Sequence, residues 1–214
     1  RRWRAYWETG GGQLADWGCH LLDLLYFAYD MPEPEAVVTH TARPSTTGHT
    51  SHNMSTLTYP GGGAFAREKF VVHYNDSGLM PSFAALGLPP LKFDANHTMV
   101  VCEDGILILQ ADGNPEIYRK GKLSDDEPMP RVSPRNHWGD WAENCLGAKK
   151  PLWTPLTIGW RITEPALLAV KATRYPDQEL RWDAANFRFT NHDEANKTIL
   201  SREYRKGFAP PKVV

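Results

Sequence analysis

The stretch GGGQLADWGCHLLDLLYFAYD, residues 10–30, decides how the first part of this chain folds. Its glycines are followed by apolar residues at helical spacing, namely Leu14, Trp17, Leu21, Leu24, Leu25 and Ala28. This periodicity predicts a single amphipathic helix over residues 14–29, entered through a flexible glycine run. Asp30 and the prolines of MPEPE then end the helix, because proline cannot continue it.

A polar cluster interrupts the apolar pattern of this helix. Asp16 and His20 are four residues apart and Asp23 follows three residues later, so the three share one side of the helix. A carboxylate beside an imidazole orients the ring and raises its pKa, which suits a general acid–base. Two other interpretations fit the same spacing. Asp16 caps the helix while His20 packs against Asp23, or the three side chains bind a divalent metal ion.

The bulk composition is that of a globular protein. The chain has 214 residues, of which 41% are hydrophobic and 23% charged, and a formal net charge of −1. That balance gives no electrostatic reason to expect nucleic acid or an anionic membrane as a partner, and no run approaches the ~20 apolar residues of a membrane span. The widely spaced Cys19, Cys102 and Cys145 predict free thiols rather than a disulfide framework or a zinc site.

Alternating residues and turn motifs predict strands in the middle of the chain. They are AVVTHTA, a hairpin of residues 54–59 and 64–74 joined by Pro-Gly-Gly-Gly, a second hairpin in HTMVVCEDGILILQA, and further strands in NPEIYRK and ELRWDAANFRFT. Residues 121–135 are polar and rich in proline, which predicts a surface loop. The absence of a GxGxxG motif after a strand, and of βαβ alternation, argues against a dinucleotide-binding fold in this sequence.

Two helices are predicted after these strands. NHWGDWAENCLGAKK reads as a short helix with Asn136 as its N-cap and Gly147 at its end. TIGWRITEPALLAVKATRY holds a longer one, for which we expect Thr163 as the cap and Pro165 in the first turn. The pattern of elements therefore predicts an α+β domain with a largely antiparallel sheet and helices packed on one face.

Four stretches of the sequence, read together, resemble one family of proteins. GGGQLADWGCHLLDL, YNDSGLMP, PRNHWGDWAENCLGAKKP and RWDAANFRFTNHDEANKTILSREYRKGF occur here in the order typical of the bacterial branch of the Gfo/Idh/MocA family, the glucose–fructose oxidoreductases and inositol dehydrogenases. In that family a G-G-x-x-x-D-x-G-x-H-x-x-D run opens the C-terminal domain. The resemblance implies that residues 1–214 form the substrate-binding and oligomerisation domain of a longer oxidoreductase whose N-terminal cofactor domain lies outside this sequence. It also implies that the sheet is large, open and mostly antiparallel.

The resemblance also implies roles for individual residues. Asp16 and His20 match the acid and histidine that lie beside the nicotinamide in the family, where they relay a proton during oxidation of a sugar or cyclitol. Trp17, Asp23, His137 and Trp138 are the candidates for substrate contact, and Cys19 is expected to serve packing. NAD or NADP is implied for the full-length protein and would be bound by the Rossmann domain, so no cofactor-binding or metal-binding residue is expected here.

Several alternatives remain open at the level of the sequence. Some relatives use this scaffold for metal-assisted elimination or hydrolysis of oxidised glycosides, and a domain that only binds carbohydrate or mediates assembly is a third hypothesis. The expected partners are a sugar-like substrate, the Rossmann domain and further copies of the chain packed through the exposed sheet face. The family occurs in both the cytoplasm and the periplasm, so the sequence does not choose a compartment, a substrate, or NAD over NADP.

Overall fold

The computed structural model describes residues 2–42, 45–92, 96–110, 114–125, 132–201 and 204–209. Its helices are α1 (Gly12–Ala28), α2 (His137–Cys145), α3 (Leu156–Ala172) and α4 (Asp193–Thr198). Its strands are β1 (Ala36–His40), β2 (Met54–Gly62), β3 (Phe65–Asn75), β4 (His97–Val101), β5 (Ile106–Gln110), β6 (Glu116–Arg119), β7 (Lys122–Leu123), β8 (Leu180–Asp183) and β9 (Arg188–Phe189). The chain divides into two compact units.

The first unit comprises residues 1–14, 32–79 and 167–214. Five antiparallel strands form its sheet in the order β3-β2-β1-β8-β9. Val37 and Leu57 lie opposite each other on the inner side of this sheet and are fully buried, together with Tyr59 and Leu180. The last turns of α3 contribute Leu168, Ala169, Val170 and Ala172 to the same core. Alternation along β2 thus places one side of each strand in the core, as a period of two requires.

The second unit comprises residues 15–31 and 80–166. Its four antiparallel strands follow the order β4-β5-β6-β7, which is the order of the sequence. Ile106, Ile108, Tyr118 and Leu88 form a buried hydrophobic cluster on this sheet. The unit also holds most of α1, all of α2 and the first part of α3.

The predicted fold class is confirmed. Every pairing between the described strands is antiparallel, and these residues form no doubly wound parallel sheet. Both predicted hairpins are present, and α1 covers the segment predicted as the first helix. The strands are distributed over two sheets. The predicted loop 121–135 contains the short strand β7, and its residues 126–131 lie outside the described part of the chain.

The predicted start of the third helix is wrong. α3 begins at Leu156, directly after Pro155, so Pro165 lies inside the helix and Thr163 is not its cap. Thr163 instead donates its hydroxyl hydrogen to the carbonyl oxygen of Gly159, 2.7 Å away, one turn earlier. Pro165 is fully buried, so tertiary packing outweighs the missing hydrogen bond of its ring nitrogen. The sequence signal for the true start is the Thr-Pro pair at residues 154–155.

We expect Gly61→Ala to destabilise the first hairpin strongly and Gly63→Ala only mildly. A Cβ on Gly61 would lie 1.7 Å from the carbonyl oxygen of Arg67 on β3, whereas one on Gly63 meets nothing within 4 Å. Gly61→Ala should therefore cost about 3 kcal/mol, the upper end for overpacking against backbone. Gly63→Ala should cost only about 1 kcal/mol, for its positive φ. Urea unfolding followed by tryptophan fluorescence measures both, and equal losses would contradict the close approach of the Arg67 backbone to Gly61.

Candidate functional site

The entrance of α1 is fixed within the first unit by contacts to its backbone. Gly12 adopts φ +67°, a left-handed conformation that glycine tolerates without strain. The buried hydroxyl of Tyr74 on β3 donates a hydrogen bond to the carbonyl oxygen of Leu14. Residues 11–14, 49, 50, 53, 170 and 173 line a small cleft at this point. The glycine run of the sequence is thus the place where the helix meets the loop before β2.

His20 lies on α1 with its side chain exposed, as a proton-transferring group requires for access to a substrate. The indole ring of Trp17 is partly buried, and its centre is 5.4 Å from the centre of the His20 imidazole at an angle of 55°. Aromatic rings at this distance and tilt are in favourable contact. The structure therefore brings two of the predicted site residues into direct contact.

Asp23 and His20 influence each other electrostatically. Burial raises the pKa of the Asp23 carboxyl above its usual value, and the positive charge of a protonated His20 opposes that rise. The carboxyl is partly buried, one turn after His20 on the same helix. Asp23 is therefore a carboxylate whose charged form is disfavoured by its surroundings and favoured by its histidine neighbour.

We expect Asp23→Asn to stabilise the protein near neutral pH. Because the pKa is raised in the folded state, the stability contributed by the protonated carboxyl is complete below pH 3.8 and is lost as the pH rises through the folded pKa. The amide cannot ionise, so the urea midpoint of the variant should exceed that of the wild type more at pH 7 than at pH 3.5. A lower midpoint for the variant at pH 7 would mean that the ionised Asp23 is held favourably by His20.

Asp16 and Cys19 complete this part of α1. Asp16 is partly buried one turn before His20, on the side that the four-residue spacing predicts. Cys19 is partly buried, and its Sγ lies 3.7 Å from the hydroxyl oxygen of Thr163 on α3. The thiol thus lies against a neighbouring helix, in keeping with a packing role. A hydrogen bond between Asp16 and His20 stays a prediction.

His137 and Trp138 lie at the start of α2, where both side chains are exposed. The side chain of Asn136 accepts a hydrogen bond from the backbone N–H of Gly139, so the predicted N-cap is confirmed. The His137 ring meets the Trp138 ring edge-on, with the centres 5.3 Å apart. The structure thus gives two separate ring pairs, one on α1 and one on α2, and a substrate cleft shared by both stays a prediction.

The sequence did not single out Arg135, which organises the start of α2. Its Nη2 lies 2.6 Å from a carboxylate oxygen of Asp140 and donates to the carbonyl oxygen of Pro151 at 2.8 Å. The guanidinium lies 5.4 Å from the ring centre of Trp153, which stacks on Phe27 at 5.2 Å. Sequence periodicity cannot reveal the contacts of Arg135 with Pro151 and Trp153, because these residues are far apart in the chain. Only its pairing with Asp140, on the other side of the Asn136 cap, has a signal in the sequence.

A metal site gains no support from the described part of the chain. There, no group of three or more His, Cys, Asp or Glu side chains is placed to hold a metal ion. Likewise, Gly61–Gly63 belong to the hairpin between β2 and β3, not to a glycine-rich turn between a strand and a helix. The glycine run at residues 61–63 is therefore a hairpin turn rather than a dinucleotide-binding turn.

The described strands form antiparallel sheets, and a helix entered through glycines carries Asp16 and His20. These elements are those of an α+β protein and differ from the parallel, doubly wound sheet of the nucleotide-binding folds. The sequence model of the family described as the GFO/IDH/MocA C-terminal domain matches residues 1–84, which include α1 and the first hairpin. The resemblance predicted from the sequence is therefore confirmed over residues 1–84, where the chain is similar to the C-terminal domain of Gfo/Idh/MocA proteins.

Two solved structures share this fold. One is an aldose–aldose oxidoreductase from Caulobacter crescentus complexed with glycerol, with a TM-score of 0.52, 16% identity, and coverage of 85% of this chain and 51% of that protein. The other is an NAD-binding protein from Listeria innocua, with a TM-score of 0.50, 15% identity, and coverage of 81% and 49%. This chain thus spans about half the length of either neighbour. A search of curated proteins found no match.

The described residues also bear on membrane insertion. None of their helices is both long enough and apolar enough to cross a bilayer.

Proposed function

We propose that this chain is the substrate-binding and proton-transferring part of an NAD(P)-dependent oxidoreductase that acts on a CH–OH group of a sugar or cyclitol. The observation that carries the proposal is the exposed imidazole of His20 beside Trp17, on a helix within the matched family region. The fold shared with an aldose–aldose oxidoreductase supports a sugar-like substrate.

In this proposal each residue of α1 has a distinct task. His20 accepts the proton of the substrate hydroxyl during oxidation and returns it during reduction, because its exposed imidazole is accessible to a substrate. Asp16 holds the imidazole in place, and Asp23, one turn after His20 on the same helix, contacts the substrate. The ring of Trp17 offers an apolar surface to the carbon face of a sugar. His137 and Trp138 would contact the substrate from α2.

The cofactor and the partners are part of the same proposal. NAD or NADP would serve as the hydride acceptor, and it would be bound by a Rossmann domain joined to this one. The outer side of the first sheet exposes Met54 and Val71 next to His73, which supports assembly with further copies of the chain through that side. Neither nucleic acid nor a membrane is expected as a partner, since the net charge is only −1.

The test is an assay of the protein that joins this chain to its NAD(P)-binding domain. With D-glucose or myo-inositol and NAD⁺ or NADP⁺, we expect sugar-dependent reduction of the nicotinamide, followed by its absorbance. Treatment with EDTA should leave the rate unchanged. This chain without the cofactor domain should reduce no nicotinamide. A product formed without nicotinamide reduction and abolished by EDTA would support a metal-assisted lyase or hydrolase instead.

A binding-only role has its own experiment. Calorimetric titration of this chain with glucose and myo-inositol, with and without NADH, measures binding directly. A carbohydrate-binding or assembly domain would be supported by two results together. This chain would bind sugar with measurable heat, and the protein that includes the cofactor domain would not reduce the nicotinamide.

A further inference from the structure

We propose that His49 is an acid-sensitive anchor of the glycine entrance of α1, defined here as residues 10–12. The anchor lies entirely within the first unit and is independent of the proposed oxidoreductase function. Three kinds of observation carry it: the hydrogen bond of the imidazole, its packing against glycine backbone, and the positive charges that face it.

The imidazole of His49 is bound directly to the glycine entrance. Its Nε2 lies 2.8 Å from the carbonyl oxygen of Gly10, so this nitrogen carries the hydrogen and donates it. The backbone N–H of His49 donates to the carbonyl oxygen of Ala5 at 2.7 Å, which fixes the residue from its other side. The ring therefore ties the loop before β2 to the segment that leads into α1.

The imidazole also fills the space that the glycines leave free. A Cβ on Gly12 would lie 2.9 Å from both Cβ and Cγ of His49, closer than real contacts allow. On another side the ring packs on the indole of Trp7, with the centres 3.9 Å apart. The glycine at position 12 is thus required by the histidine as well as by its positive φ.

Among the described residues, the charged groups that shift the pKa of His49 are the cations Arg174 and Lys171. The Arg174 guanidinium lies 4.0 Å from the ring centre of Trp7 and donates to the carbonyl oxygen of Ser45, so it is held next to the same indole. Lys171 on α3 adds a second positive charge. The cleft around the imidazole otherwise presents neutral Thr50, Asn53 and Thr173. Asp76 lies behind Asn53 and is engaged by its backbone and side-chain N–H groups.

These surroundings favour the neutral imidazole. Burial lowers the pKa of His49, the positive charges of Arg174 and Lys171 lower it further, and the hydrogen bond to Gly10 opposes the shift. When the glycine entrance opens, the ring returns to water and to a pKa near 6.5. The closed state thus binds fewer protons than the open state. Its advantage is complete above about pH 6.5 and decreases as the pH falls from there to the folded pKa.

Amide hydrogen exchange of the full chain, measured by NMR at pH 7.0 and pH 5.0, tests the anchor. The reporters are the amides of Gly10 and His49, whose hydrogen bonds run to Tyr6 and Ala5. After correction for intrinsic rates, their protection should fall at pH 5.0, by up to about tenfold for each unit by which the pKa is lowered. An NMR titration of the His49 ring itself should give a pKa below 6.5. Unchanged protection, or a ring that titrates at 6.5 or above, overturns the proposal.

Three variants separate the anchor from general acid sensitivity. In His49→Gln the side-chain amide still donates to Gly10 but does not titrate, so protection at the Gly10 amide should be equal at both pH values. His52→Gln changes an exposed histidine of the same loop, so the protection of the Gly10 amide should fall at pH 5.0 as much as in the wild type. Lys171→Gln removes one of the positive charges that act on His49, so the protection should fall less than in the wild type. The assignment is contradicted if protection falls as much in Lys171→Gln as in the wild type, or if it falls at all in His49→Gln.

Discussion

Leu57→Ala is expected to lower the free energy of unfolding by about 2–5 kcal/mol, the range for deleting a large aliphatic side chain from a packed core. Leu57 is fully buried on the central strand pair of the first sheet, opposite Val37 on β1 and Val72 on β3. The backbone hydrogen bonds of β1 and β3 to β2 hold these neighbours in position, so the structure cannot collapse into the space that the leucine leaves. Urea unfolding, followed by tryptophan fluorescence and circular dichroism, gives the loss.

Val71→Ala is the matched control for this prediction. Val71 lies on β3 with its side chain about half exposed on the outer side of the same sheet. Its truncation should change the free energy of unfolding by no more than about 0.5 kcal/mol. A Leu57→Ala loss no larger than that of Val71→Ala would contradict the assignment of the inner side as the core. A Val71→Ala loss that grows with protein concentration would support the proposed assembly through the outer side.

The elements best predicted from the sequence are those whose signal is local. The helical period of residues 14–29 and the alternation around Leu57 each specify one side of an element, and the structure follows both. Asn136 was recognised as a cap because its side chain satisfies the nearby N–H of Gly139. Where local sequence and tertiary packing agree, the fold can be predicted.

The failures have tertiary causes. Pro165 is tolerated inside α3 because burial among core residues outweighs one missing hydrogen bond, and no local pattern reveals this. The division of the strands between two sheets depends on pairings such as β1 with β8, which are more than a hundred residues apart. The alternation of apolar residues specifies a strand but not its partner.

The candidate site shows the same limit. The spacing of Asp16, His20 and Asp23 correctly predicts that they lie on one helix, and the contact of Trp17 with His20 follows from the three-residue separation. Arg135 and His49 act through partners far away in the sequence, Trp153 in one case and Gly10 in the other. Contacts of that kind emerge only when the chain is folded.

His20→Asn has the largest effect that we expect on activity. In the protein that joins this chain to its cofactor domain, the variant should transfer hydride about 10²–10⁴-fold more slowly, the usual contribution of a positioned acid–base group. Asparagine approximates the size and polarity of histidine but cannot take up the hydroxyl proton. His20 is exposed, so the urea midpoint should stay close to that of the wild type. KM should change little, because the loss concerns the proton transfer rather than binding.

His73→Asn is the control for His20. His73 is an exposed histidine on β3, with its Nδ1 3.1 Å from the Thr56 hydroxyl, and it has no part in the proposed chemistry. This variant should retain the wild-type rate. It separates the loss of one particular imidazole from the loss of any surface histidine.

Single-turnover stopped-flow absorbance of the nicotinamide, with saturating sugar, tests the central claim most directly. We expect the rate constant of the His20→Asn protein to fall at least about 100-fold below that of the wild type, while His73→Asn matches the wild type. A His20→Asn rate within a few-fold of the wild type would contradict the assignment of His20 as the proton-transferring group.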